Sequence, residues 1–163
     1  MLCALQHQCR IIKSQRHSFS LSATKMSNFL EVRRKSRYCL GFIHDYCDQS
    51  ELVKLLDVGY ARVLAITIGT AGGSGDENDE DIWKGLSHIY WFVRYLHNGK
   101  IYSWKPFVQP LPFHVRMSEE QMEDEGGIEE IEAQRNNKGD SGSIKYEANR
   151  AKAATLNHFI HRQ

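Results

Sequence analysis

The chain has 163 residues, 41 % of them hydrophobic and 25 % charged, and a formal net charge of +1. That length and composition fit one ordinary globular domain. The longest apolar run, Ile89 to Val93, is five residues against the ~20 needed to cross a bilayer, so a membrane-spanning helix is excluded and a soluble or peripheral protein is expected.

The near-neutral total hides an uneven distribution. The first thirty residues contain no Asp or Glu, but hold Arg10, Lys13, Arg16 and Lys25 with five serines. On a helix, Leu2, Leu5, Cys9 and Ile12 would share one face, with Gln6, Arg10 and Lys13 opposite. An amphipathic, Arg-bearing, Ser-rich and acid-free segment has the composition of a mitochondrial presequence, and lacks the continuous apolar stretch of a secretory signal. A disordered basic arm, or a start at Met26, is the competing reading. After Glu31 come Arg33, Arg34, Lys35 and Arg37. Such short basic clusters occur in nuclear signals and nucleic-acid patches, and equally in a solvated approach to the first structured element. Residues 1–37 are set apart as a basic N-terminal segment.

Residues 38–117 are expected to form a small α+β module. If 38–47 is helical, Cys39, Ile43 and Cys47 share a core-facing side. Ser50 is placed to cap a helix over 51–57, whose Leu52, Leu55 and Leu56 make the buried face and which Gly59 ends. Tyr60 to Ile68 is rich in β-branched and apolar residues and reads as a buried strand. A glycine-rich, acidic loop follows from Gly69 to Asp81. Asn98-Gly99 lies between two β-prone runs, and this pair is a strong hairpin signal because both positions tolerate positive φ. Strands are therefore expected near 89–97 and 100–105, with one helix over 82–97 as the competing reading. Pro106, Pro110 and Pro112 confine Phe113–Met117 to an edge strand. The fold class expected is α+β: a small antiparallel sheet with the hairpin near 89–105, one or two packed helices and disordered charged ends.

Ser118 to Glu132 carries eight acids and no Lys or Arg. Residues 118–143 are expected to be an acidic disordered tether, since such a segment buries too little apolar surface to offset its ordering entropy. Residues 144–163 read as a C-terminal helix, with Ile144, Ala148, Ala151, Thr155 and Phe159 on one side.

Several short patterns resemble chemical motifs without supporting the chemistry. Gly69, Gly73 and Gly75 have the spacing of the phosphate-binding turn of short-chain dehydrogenases, where glycine lets backbone approach a pyrophosphate. Here Asp76, Glu77, Asp79, Glu80 and Asp81 follow, placing five carboxylates where phosphate would sit. The absence of Gly-Lys-Ser/Thr excludes a P-loop. Gly139-Asp140-Ser141-Gly142 resembles the nucleophile turn of trypsin-like proteases, but falls in the expected tether, away from any rigid triad scaffold. His44-Asp45 resembles the pair of secreted phospholipases, without their calcium loop or paired cysteines. Cys39, His44 and Cys47 are three candidate zinc ligands that lack the close cysteine knuckle of structural sites. The four cysteines are read as reduced thiols.

No catalytic, cofactor or metal residue is therefore assigned, and an enzyme is not expected. The leading expectation is a small non-catalytic accessory protein working through macromolecular contacts, most simply with another protein. Its layout is similar in form to small viral accessory proteins, a likeness carried by no motif. Two alternatives stand beside it. One is a mitochondrially imported protein. The other is a single-stranded nucleic-acid binder, with Arg33, Arg34, Lys35, Arg37, Arg94, Lys100 and Lys105 at phosphates and Tyr102 and Trp104 as stacking surfaces.

Overall fold

The computed structural model describes residues 23–69, 79–100, 106–137 and 143–156. They form seven helices: α1 (Ala23–Tyr46), α2 (Gln49–Asp57), α3 (Tyr60–Ile68), α4 (Asp79–Asn98), α5 (Pro112–Asp124), α6 (Gly127–Gln134) and α7 (Ser143–Leu156). The described residues contain no strand or sheet, only one isolated antiparallel bridge between Lys100 and Val108. The expected α+β fold is thus corrected to an all-helical one.

Local chemistry sets the helix ends. A capping box opens α2: Asp48 accepts from the Glu51 backbone N–H at 2.9 Å, and Glu51 accepts from that of Asp48 at 3.2 Å. Asp48, not Ser50, is therefore the cap, and Leu52, Leu55 and Leu56 are buried. Asp79, Glu80 and Asp81 open α4, where carboxylates favour the positive end of the helix dipole. Pro112 starts α5, a position that needs no backbone N–H.

Helix α3 is the centre of the fold and touches α2, α4, α5 and α6. Eight of its nine residues are buried. The sequence reads as a strand because a short continuous apolar run has no period to separate the two structures. With neighbours on most sides, a largely apolar helix is the stable answer, and β-branched side chains cost it only a few tenths of a kcal/mol each (about 0.7 at most).

Helix α4 replaces the expected hairpin. Ile82, Gly85, Leu86, Ile89, Phe92, Val93 and Leu96 recur at helical spacing and are buried. Asn98-Gly99 is the end of that helix. Gly99 has φ +74°, and its N–H donates to the Tyr95 carbonyl at 2.9 Å, the left-handed helix stop that glycine favours. Of the second expected strand, 100–105, Lys100 forms the isolated bridge and residues 101–105 lie outside the described residues.

Helix α5 takes the place of the Phe113–Met117 edge strand. With α6 it occupies most of the acidic stretch expected to be disordered. Acid content concealed a few apolar side chains at the right places: Val115, Met122 and Ile131 all reach the core. Most of the acids are exposed, and Arg62 of α3 pairs with the partly covered Glu125 at 3.0 Å and with the exposed Asp124 at 3.8 Å. Gly127 lets α6 approach α3 closely, since a Cβ there would lie 2.9 Å from that of Ala65. Helix α7 makes its most extensive contact along α4. Its Ile144, Ala148, Ala151 and Thr155 are buried, and Phe159 lies outside the described residues.

Candidate functional site

Helix α1 has two faces. Inward, Leu40, His44 and the following Cys47 are buried. Outward, Tyr38, Phe42 and Tyr46 recur every four residues and are 55 %, 50 % and 53 % exposed. That spacing brings the rings of one helix face together. The Tyr38 and Phe42 centroids are 5.0 Å apart edge to face, and those of Phe42 and Tyr46 are 6.0 Å apart and stacked. The result is a continuous aromatic strip.

The inner face is anchored by an unusual set of side chains. The His44 ring stacks between Tyr60 at 5.9 Å and Tyr95 at 5.2 Å, with the edge of Phe92 at 5.7 Å. The Tyr60 hydroxyl donates to the Leu40 carbonyl at 3.2 Å. Lys100 is 1 % exposed, and its ammonium donates to the carbonyls of His44 at 3.1 Å and Cys47 at 3.3 Å, near the C-terminal end of α1. Carbonyls that helix geometry leaves without intrahelical donors thus receive a charged one. Burial pushes the Cys47 thiol up to about 11, the Lys100 charge opposing the rise only in part. This thiol is protonated near neutral pH and is not a nucleophile.

Between α1 and α4 lies a groove of about 380 Å³, lined among others by Arg34, Tyr38, Cys39, Asp81, Lys84 and His88. Arg34 bridges its walls by ion pairs to Asp81 at 3.5 Å and to Glu80 at 4.0 Å, and Lys84 pairs with Glu80 at 2.6 Å one turn along α4. The Lys84 hydrogen bond holds the Glu80 carboxyl below its ordinary value. The Lys84 ammonium also lies 5.5 Å from the centroid of the Tyr38 ring.

A second aromatic cluster joins α4 to α7. The Arg150 guanidinium stacks 3.9 Å from the Tyr90 centroid and donates to Glu147 at 2.6 Å. Arg94 donates to the Tyr90 hydroxyl at 2.6 Å and lies 5.6 Å from the Trp91 centroid. Burial opposes ionisation of Tyr90, but hydrogen bonds from Arg150 and Arg94 outweigh it and lower its pKa.

Among the residues named for nucleic-acid contact, the described side chains of Arg34, Lys35, Arg94 and Lys100 do not form one surface. Arg33 and Arg37 lie on α1, their side chains outside the described residues. Arg34 is engaged with the start of α4, and Lys35 with Glu31 at 3.3 Å. Arg94 is exposed near the other end of α4, roughly 20 Å along the helix axis from Asp81. Lys100 points into the protein, and Tyr102, Trp104 and Lys105 lie outside the described residues. Of the candidate zinc ligands, Cys39 is exposed while His44 and Cys47 are buried. Among the described residues no three His, Cys, Asp or Glu side chains are grouped to hold a metal ion, and no helix is long and apolar enough to cross a membrane.

The residues that sequence reading missed are Tyr38, Phe42 and Tyr46. Their signal was present, since the arithmetic that groups Cys39, Ile43 and Cys47 groups 38, 42 and 46 one position earlier. No protein-family model, curated protein or solved structure matches the chain.

Proposed function

We propose that this protein is a non-catalytic interaction module whose docking surface is the outer face of α1, occupied by a helix of a protein partner. The Tyr38–Phe42–Tyr46 strip carries the reading: three large rings, each against the next and about half exposed, along a helix anchored from behind. Aromatic residues are enriched at interface cores because they bring much area at low entropic cost. The strip is long and one side chain wide, the shape that a second helix covers. The chemistry-bearing groups behind it support the same reading, since Cys47 is held as a neutral thiol and His44 is enclosed by rings.

Co-purification of tagged full-length chain from its native source tests this reading. A protein retained by the wild type and lost from Tyr38→Ser/Phe42→Ser, with unchanged melting curves, is the expected result. Equal recovery with both chains contradicts it.

A second reading, contact with single-stranded nucleic acid, is favoured by the Arg94–Tyr90–Trp91–Arg150 cluster, which combines cations with aromatic surfaces. Fluorescence anisotropy with a short labelled oligonucleotide would give salt-sensitive binding that Arg94→Ala weakens. Absence of binding at low salt removes this reading.

A further inference from the structure

We infer that the seam between α4 and α7 holds the terminal phosphate of a nucleotide, with Arg94 and Arg150 at the phosphate and the exposed Tyr146 ring against the base. The inference rests on the nucleic-acid reading above and narrows it to one unit held at one end.

Side chains of both helices converge here. The Arg150 guanidinium lies 3.9 Å from the Tyr90 centroid, 5.7 Å from that of Trp91 and 5.5 Å from that of Tyr146. Arg94 donates to the Tyr90 hydroxyl at 2.6 Å. Burial raises the Tyr90 pKa, yet hydrogen bonds from Arg150 and Arg94 bring it below its ordinary value. Two positive charges therefore meet at one oxygen. Arg94 is exposed, and its bond to Tyr90 engages a single N–H of a fork that carries several.

Charge singles out an anion. Helix α4 has no Asp or Glu from Ile82 to Asn98, and α7 has Glu147 alone. Glu147 is 3 % exposed, so it does not face an arriving ligand. Its Oε1 accepts from Arg150 at 2.6 Å, while its Oε2 is buried without a hydrogen-bond partner. A buried carboxylate with one oxygen unmet costs stability. What it provides is a guanidinium held against Tyr90, and a preset cation binds its anion without first being ordered.

Two guanidiniums at one point suit a phosphate monoester, largely a dianion near neutral pH, better than the single charge of a phosphodiester inside a strand. Arginine forks also match phosphate oxygens in shape. Tyr146 is 63 % exposed and stands beside Arg150, so a flat base has an open ring to stack on. A nucleotide with a terminal phosphate carries both parts, whether free or at the end of a strand.

Titration of the full chain with adenosine 5′-monophosphate, followed by NMR, tests this. The expected result is saturable shifts in α4 and α7 with a Kd on the order of 0.1–1 mM. Adenosine and inorganic phosphate should each bind at least roughly tenfold more weakly, since each lacks one part. Arg94→Ala and Tyr146→Ser should each weaken binding by roughly tenfold with unchanged melting curves, because both side chains are exposed. A short strand with a 5′-phosphate should compete with the mononucleotide, and the same strand with a 5′-hydroxyl should not. Adenosine binding as well as its monophosphate, or binding unchanged by Arg94→Ala, overturns the inference. Strand binding with no mononucleotide shift at about 10 mM overturns it while leaving the single-strand reading. Mononucleotide binding that no strand displaces upholds the site and removes that reading, and binding of neither removes both.

Discussion

Helix α3 buries eight of its nine residues, while α1 buries Leu40 and His44 and keeps Tyr38, Phe42 and Tyr46 about half exposed. Both are rich in apolar side chains. The difference lies in what surrounds them: α3 is enclosed by four other helices, whereas the chain's described contacts cover α1 mainly on the side of α4. Apolar side chains therefore make core in one helix and an exposed aromatic strip in the other. The distinction is testable, because mutations on α3 should act on stability and mutations on the outer face of α1 should act on association.

The largest effect is expected at α3. Ile68 is buried to 1 % exposure, and Ile68→Ala should cost about 2–5 kcal/mol in chemical denaturation, through lost transfer energy and the cavity left behind. A cost under about 1 kcal/mol would mean that α3 is not the core helix described. Next is the anchor of α1. Lys100→Met should cost about 2–4 kcal/mol, since it removes charged hydrogen bonds from two buried carbonyls and leaves that of His44 with only the weak Cys47 thiol donor. Unchanged stability would show that the inner face of α1 is not held by this ammonium.

Gly99→Val should follow, at about 1–2 kcal/mol for the left-handed φ of +74°. A Cβ there would also meet the Val108 carbonyl oxygen at 2.6 Å, so a neutral result would contradict the end described for α4.

The smallest effect is chemical. In the native protein Cys39 should alkylate readily at pH 8, while Cys47 should be protected, as peptide mapping by mass spectrometry would show. The sign follows from the raised Cys47 pKa of about 11. The neutral thiol is favoured by folding, so its contribution is complete below the unfolded pKa of about 8.5 and is lost as pH rises toward 11. Modification of Cys47 as fast as Cys39 at pH 8 would contradict the burial of the inner face.

Sequence carried the parts of this fold that have a clear period. The leucines of α2 and the small-residue stripe of α7 marked the faces that the structure buries. Tyr60–Ile68 has no period, so β-branching was the only local cue, and packing from four sides overrode it. Asn98-Gly99 did signal positive φ at Gly99. The same residue serves a hairpin turn and a helix stop, and only the helical spacing from Ile82 to Leu96 distinguishes them. The acidic stretch was misread by counting its charges, when the placement of Val115, Met122 and Ile131 decides whether it packs. The aromatic strip was legible as spacing. Its outward orientation was not, because that depends on which side of α1 meets α4.

The reading of α1's outer face is tested most directly by trapping what covers it. A benzoylphenylalanine at position 42 of the full chain keeps an aromatic side chain at the centre of the strip. Photolysis in the native source should give a cross-linked product with a helix of another protein, and Tyr38→Ser should reduce its yield. Adducts confined to the chain's own residues would contradict the account.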